Sequence, residues 1–333
     1  MRYLILKKKI NHDILHTGQH FDTSMSKNIF TKILSKKPIK NLNVSSKNGE
    51  DMTGLMITKI EKFLSKKNYD YILLYGDTNS TLAGSIASKR LNFKIAHIEA
   101  GIRSYNMSMP EEVNRLLTDN VSDFLFCPTQ SSMKNLKKEN ITKNVYNFGD
   151  VMYDTYLKWE KNFSLPSKKE KSIFVTIHRP YNTDNKSRLK KILSIFKFLS
   201  KKNKINFSLH PRTKKKMDKF NLSLKNSNIN MMKPLNYFET LQMIRNSKCV
   251  ITDSGGLQKE SYFLKIPCIT IRSESEWFET IDLKYNKLIF NNLNSIKEIA
   301  NKNFVWRKKK YKSNLFGKGQ AAKLILKTLY KNL

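Results

Sequence analysis

Residues 96–115 read A-H-I-E-A-G-I-R-S-Y-N-M-S-M-P-E-E-V-N-R. The apolar run that enters this stretch, Phe93 to Ala96, predicts a buried strand of an α/β unit. The chain then breaks at Gly101, passes through polar residues, and restarts as a helix with Pro110 in its first turn. Glu99 falls at the strand's carboxyl end, and Glu111 and Glu112 open the helix. In open α/β sheets, ligands bind in the crevice outside the strand carboxyl ends. A carboxylate there is placed for general acid/base chemistry. An isolated Glu pair at a helix start is more commonly a complement to the helix dipole. The decision therefore rests on whether other strands deliver similar groups.

They do. Tyr71 to Tyr75 (Y-I-L-L-Y) predicts a strand buried on both faces, followed by Gly76-Asp77-Thr78-Asn79-Ser80-Thr81 and a helix from near Leu82. Thr78, Asn79 or Ser80 can cap that helix. Asp77 and Glu99 thus close neighbouring strands. Asp13 to His16 is a short strand ending in the polar turn Thr17-Gly18-Gln19-His20. Between the two lies a helical stripe of Met52, Leu55, Met56, Ile60 and Phe63. Further strands are expected at Asp123 to Cys127 and Val145 to Phe148. Lys158 to Lys171, rich in Lys and Ser with Pro166, is expected to link two domains.

A second series follows. Ser172 to Ile177 delivers His178 and Arg179, and Ile205 to Leu209 delivers His210, Pro211 and Arg212. Lys248 to Thr252 delivers Asp253-Ser254-Gly255-Gly256, with a helix over Leu257 to Leu264. Pro267 to Ile271 delivers Arg272 and an acidic turn. Two glycines before a helix let the backbone approach an anion, which the helix N-terminus then stabilises. Arg212 can grip a phosphate through two donors. The alternation of strands and helices predicts a doubly wound α/β fold, repeated in two halves.

Composition narrows the rest. The 333 residues suffice for two domains and carry a formal charge of +35. The lysines are scattered, rarely beside aromatic residues, and no recognition-helix or zinc-finger pattern accompanies them. Heavy use of Lys, Asn and Ile fits A/T-rich codons, so a solvated basic surface is expected and no specific nucleic-acid partner. No window has the apolar length of a membrane span, and the start is not a signal peptide. Cys127, Cys249 and Cys268 sit in apolar runs and read as buried thiols in a reducing cytoplasm, without a metal site or disulfide.

The motifs H-T-G-Q-H, G-D-T-N-S-T, H-I-E-A-G-I-R-S, M-P-E-E-V-N-R, T-I-H-R, H-P-R-T and T-D-S-G-G-L-Q-K-E stand in an order that resembles the non-hydrolysing UDP-N-acetylglucosamine 2-epimerases. The resemblance runs from about His12 to the C-terminal helix. It implies a GT-B-like architecture, with two Rossmann-like doubly wound domains and the active site in the cleft between them. The domain boundaries expected are 1–160, 161–315, and 316–333, the last a helix (Ala321 to Tyr330) crossing back to the N-terminal domain. The implied reaction inverts C2 of UDP-GlcNAc to give UDP-ManNAc, by eliminating UDP and adding it back, without cofactor or metal.

By position, the resemblance implies a catalytic set of Asp77, Glu99, Glu111 and His178, without choosing among the carboxylates for the C2 base. It implies substrate contacts from Arg115, and UDP contacts from Arg212, Ser254, Gly255, Gly256 and Glu260. Gln19, Arg179 and His210 would meet a second, activating UDP-sugar. A homodimer in the cytoplasm, serving surface polysaccharide synthesis, is expected.

Alternatives are a 2-epimerase of a related sugar such as UDP-2,3-diacetamido-glucuronate, suggested by Glu276-Trp277-Phe278-Glu279-Thr280, a glycosyltransferase on the same fold, or a nucleic-acid binder resting on charge alone. The sequence departs from the family at Pro180-Tyr181, Phe278 and Lys318. It also lacks the family's opening strand and Gly-Thr-Arg-Pro loop, with Met1 to Lys9 resembling the end of the first helix. From that departure a chain without its first strand, poorly active or a decayed copy, is expected.

Overall fold

Among the described residues, twelve short strands, all parallel to their partners, carry the architecture of the computed structural model. The structure describes residues 10–18, 38–44, 52–160, 172–224, 227–301 and 311–333. The expectations for Met1 to Lys9, for Gln19 and His20 of the polar turn, and for most of the Lys158 to Lys171 linker lie outside these residues. The chain divides into two compact units, Met1–Lys161 with Ser313–Leu333 and Asn162–Lys312.

In the first unit, β1 (Leu15–His16) pairs with β2 (Lys40–Asn41). A four-stranded sheet then runs in chain order through β3 (Ile72–Tyr75), β4 (Ile95–Ile98), β5 (Phe124–Cys127) and β6 (Val145–Asn147). β4 and β5 are buried along their whole length, as continuous apolar runs in a parallel sheet require. β3 behaves differently from expectation. Among the described residues it has one strand partner, and Tyr75 at its end is 46 % exposed. The helix Met52–Leu64 buries Met56, Ile60 and Leu64, four residues apart. Leu55, placed on that stripe by the sequence, lies a hundred-degree step away and is exposed. The next helix, Asn79–Arg90, starts three residues before the Leu82 expected for it, because the Thr78 side chain accepts from the Thr81 amide and so fixes the first turn. Glu160 ends the helix Val151–Glu160, so the linker begins later than its lysines suggest.

The last helix, Ala321–Lys331, lays Ile325 and Leu329 against Ala96, Ile98, Phe124 and Phe126 of the first unit's sheet. Each such fully buried aliphatic side chain contributes about 1.5–3 kcal/mol. Asp154 accepts from the amides of Ala321 and Ala322 and so anchors the start of this helix. Just before it, Gly149 and Gly317 cross backbone to backbone at φ of +94° and +91°, where a Cβ on either would collide with the other's chain.

The second unit has one six-stranded sheet in the order β12-β11-β10-β7-β8-β9. Its strands are β7 (Ser172–Thr176), β8 (Lys204–Ser208), β9 (Ile229–Met232), β10 (Ser247–Thr252), β11 (Cys268–Thr270) and β12 (Asn286–Leu288). The chain enters at β7, builds outward to β9, returns to β10 beside β7, and builds the other way. That reversal makes the carboxyl ends of β7 and β10 a topological switch point, where doubly wound sheets bind ligands. The core beneath it is apolar, with Ile173, Val175, Ile205, Phe207, Ile251 and Ile269 fully buried. Among the described residues no helix is long and apolar enough to cross a membrane.

Candidate active site

In the first unit, strand register decides which carboxylates meet. Tyr75 pairs with Ile98, so the turn after β3 and the turn after β4 lie side by side. The Gly76 amide donates to the Ile98 carbonyl at 3.0 Å, and Gly76 turns the chain at φ +65°. Glu99 itself sits at φ +77°, a left-handed conformation that costs a residue with a side chain about 1–3 kcal/mol. Its Oε2 lies 3.3 Å from where a Cβ on Gly76 would stand, so the carboxylate rests on the Gly76 turn. Asp77, next in sequence, is one-third exposed and shares this turn.

The helix Pro110–Val121 faces these turns. Asp77 Oδ2 accepts from Arg115 Nη2 at 2.6 Å and from Nε at 3.0 Å, and the Asp77 carbonyl accepts from Asn114 Nδ2 at 2.9 Å. Arg115 is buried, and its Nη1 donates to Glu112 at 2.6 Å. The residue expected to meet substrate is thus the one that holds Asp77 and Glu112. The two glutamates at the helix start divide. Glu112 is fully buried and accepts from the amides of Ser104 and Tyr105 and from the Ser104 hydroxyl, shaping the loop after β4. Glu111 is half-buried on the neighbouring face.

Beneath the turns lies a charged group that sequence reasoning missed. His97 is fully buried in β4. Its Nδ1 donates to Asp119 at 2.7 Å and its Nε2 to the Gly76 carbonyl at 2.8 Å. Asp119 also accepts from the Gly101 amide at 3.0 Å and from Arg103 Nη1 at 2.7 Å, and Arg103 in turn forks onto Glu139. Burial disfavours charge on both His97 and Asp119. Their mutual ion pair outweighs it, raising the His97 pKa above the ordinary histidine value and holding Asp119 below the carboxylate range. One polar residue inside the otherwise apolar run I-A-H-I was the available signal, since a buried imidazole must find partners.

In the second unit the switch point is occupied. Asp253, fully buried after β10, accepts from the amides of His178 and Arg179 and from Asn182 Nδ2, each at 2.9–3.0 Å. Its Oδ1 lies 3.0 Å from His178 Nδ1. Burial would raise this carboxyl, but His178 and the surrounding N–H donors hold it below its ordinary value. An aspartate on one ring nitrogen fixes the imidazole's orientation and tautomer and leaves Nε2 for proton transfer. The sequence reading used Asp253 only as part of a phosphate motif; its bond to His178, 75 residues away, needed the strand order.

Ser254 is the N-cap of the helix Gly255–Phe263. A Cβ at Gly255 would meet nothing nearer than 3.5 Å and one at Gly256 nothing nearer than 3.9 Å, and neither has positive φ. The fold therefore does not demand glycine at either position. The glycines leave open backbone at a helix N-terminus, which suits an approaching anion. Glu260 Oε1 is the atom 3.9 Å from where a Cβ on Gly256 would stand, so a hydrogen-bond acceptor stands beside that opening.

His210 follows β8; its ring lies 5.3 Å from that of His178, and its Nδ1 accepts from the Arg212 amide as the N-cap of Pro211–Lys219. Arg212 Nη2 donates to Asp184 at 2.6 Å and its Nε to Thr183. Arg179 caps the short helix Pro180–Thr183. His178, Arg179, His210, Arg212, Ser254, Gly255, Gly256 and Glu260 thus gather around three adjacent strand ends, while Gln19 lies outside the described residues.

The family model for UDP-N-acetylglucosamine 2-epimerase matches residues 4–330. A UDP-N-acetylglucosamine 2-epimerase homolog of Methanococcus maripaludis is 43 % identical over 89 % of this chain and 86 % of its own. The UDP-2,3-diacetamido-2,3-dideoxy-D-glucuronate 2-epimerase of Pseudomonas aeruginosa is 38 % identical over 98 % of this chain and 94 % of its own. Among solved structures, UDP-GlcNAc 2-epimerase of Methanocaldococcus jannaschii, in complex with UDP-GlcNAc and UDP, superposes with a TM-score of 0.91 at 36 % identity, covering 99 % of this chain and 94 % of that one.

Proposed function

The chain belongs to the UDP-N-acetylglucosamine 2-epimerase family, and on that premise we propose that it interconverts UDP-GlcNAc and UDP-ManNAc. A base removes the C2 proton, and its electron pair forms the C1–C2 double bond as the anomeric C–O bond breaks and UDP departs. UDP then adds back to C1 while C2 takes a proton on the opposite face. The observation that carries this reading is the His178–Asp253 pair set beside the open helix start at Ser254–Gly256. An oriented imidazole next to an anion cradle is what departure of a diphosphate needs.

In this reading Asp77, Glu99 and Glu111 supply the C2 base and the groups that return the proton. Arg212 and the amides after Ser254 stabilise the diphosphate, Glu260 accepts from the ribose hydroxyls, and Arg115 acts on the substrate through Asp77. Arg179 and His210, with Gln19, contact a second, activating UDP-GlcNAc. The enzyme works as a cytoplasmic homodimer without metal or cofactor, supplying ManNAc units to surface polysaccharide.

The test is incubation with UDP-GlcNAc in deuterium oxide. Support is formation of UDP-ManNAc with deuterium at C2, unaffected by chelator or added NAD. Turnover of UDP-2,3-diacetamido-glucuronate in preference to UDP-GlcNAc would move the substrate to the related sugar, and transfer of the sugar to an acceptor without inversion would overturn the reading.

A further inference from the structure

The group under the first unit's strand ends has a geometry that explains how two acidic side chains on separate turns keep a fixed separation. Both polar groups of the Gly76 peptide backbone are held by β4 residues, the amide by Ile98 and the carbonyl by His97. Asp77 follows directly, and Glu99 Oε2 rests against Gly76. Asp119 holds the other side, accepting from the Gly101 amide two residues beyond Glu99. One buried carboxylate therefore grips the turn after β4 directly and the turn after β3 through His97.

We propose that His97 is a positioning residue for the epimerase reaction, clamping the Asp77 turn to the Glu99 turn through its bond to the Gly76 carbonyl, while Asp119 keeps its ring charged. This rests on the reading of Asp77 and Glu99 as acid/base groups. A carbonyl oxygen can only accept, and Asp119, already accepting from Gly101 and Arg103, is ionised and can only accept as well. Both ring nitrogens of His97 are consequently protonated, and the ring is a spacer with two donors at fixed separation. Its positive charge also faces Glu99 from below, with Arg103 and Glu139 completing the set of charges around Asp119. A neutral buried imidazole would donate from one nitrogen and accept at the other; this ring donates from both, and one of its two bonds falls on the candidate catalytic turn.

Two substitutions separate positioning from filling. In His97→Asn the amide nitrogen replaces Nδ1, keeping Asp119 and losing Gly76. In His97→Gln the amide nitrogen replaces Nε2, keeping Gly76 and losing Asp119. Positioning through Gly76 predicts that His97→Asn lowers kcat by about a hundredfold, as misplacement of a catalytic group commonly does, while His97→Gln loses less than about tenfold, with KM and UDP affinity little changed in both. Equal turnover by the two folded variants, or a more active His97→Asn, would overturn the proposal.

The nitrogen-15 spectrum of the histidines supplies a readout independent of turnover. His97, assigned by its disappearance in His97→Gln, is expected with two protonated nitrogens at neutral pH. An unprotonated nitrogen there removes the clamp. Should the wild type invert no UDP-sugar, the functional reading fails while this spectrum still judges the clamp.

Discussion

Arg115 places two donors on a single oxygen of Asp77, Nη2 at 2.6 Å and Nε at 3.0 Å, and its remaining arm on Glu112 at 2.6 Å. The two carboxylates so joined differ in burial. Asp77 reaches solvent and Glu112 does not. One cation therefore serves the candidate catalytic turn and the loop scaffold together.

Arg115→Met should accordingly act on both. It leaves Glu112 as an uncompensated buried charge, and breaking such a pair costs about 3–5 kcal/mol. The double variant Arg115→Met/Glu112→Gln should recover part of that stability in urea unfolding but none of the lost kcat, because Asp77 remains unheld. Recovery of kcat together with stability would show that Arg115 acts only on the scaffold.

Glu111 and Glu112 should separate cleanly. Glu111→Gln is expected to lower kcat by about a hundredfold, the usual scale for a lost acid/base group, with little change in Tm. Glu112→Gln should instead lower stability by about 1–3 kcal/mol, since it disturbs buried donors at Ser104 and Arg115 and the Tyr105 amide beside them. Thermal melts alongside steady-state kinetics distinguish the two. The reverse pattern would move the catalytic assignment to Glu112.

Gly255→Ala tests whether open backbone is the reason for glycine. A methyl group there meets only ordinary contacts with Glu276 and Arg272. Removing a helical glycine should therefore leave stability unchanged or raise it by about 0.4–1 kcal/mol. UDP affinity, measured calorimetrically, should fall as the methyl group occupies the anion's approach. Undiminished UDP binding would exclude this helix start as the diphosphate site.

Asp253 predicts an acid limb to stability. Its folded pKa lies below the unfolded value, so the ionised carboxylate stabilises the fold above about pH 4 and loses that contribution as pH falls through the folded value. The stability gap between wild type and Asp253→Asn should be constant near neutrality and narrow below about pH 4. A gap that widens toward acid would mean that Asp253 is protonated in the native state.

Much of this protein is local in its sequence. Apolar runs placed β4, β5, β7, β8 and β10, because a strand buried on both faces has to be continuous in hydrophobicity. Pro110 marked a helix start through backbone chemistry that depends on adjacent residues only, whereas the helix expected from Leu257 begins at Gly255. Ordered motifs then located Asp77, Glu99, His178 and the Gly255–Gly256 opening at strand ends. What carries those groups was not local. Arg115 reaches Asp77 across 38 positions, His97 reaches Asp119 across 22 and Gly76 across 21, and His178 reaches Asp253 across 75. Each of those pairs is set by strand order, by register, or by the rotation of a helix about its axis. A single-residue step turns a helical side chain by about a hundred degrees, enough to bury Glu112 and leave Glu111 partly exposed. The sequence by itself therefore determined which residue types stand at the strand ends. Only the tertiary structure decided which of them hold one another, since a buried charge takes its partner from whatever the packing brings beside it.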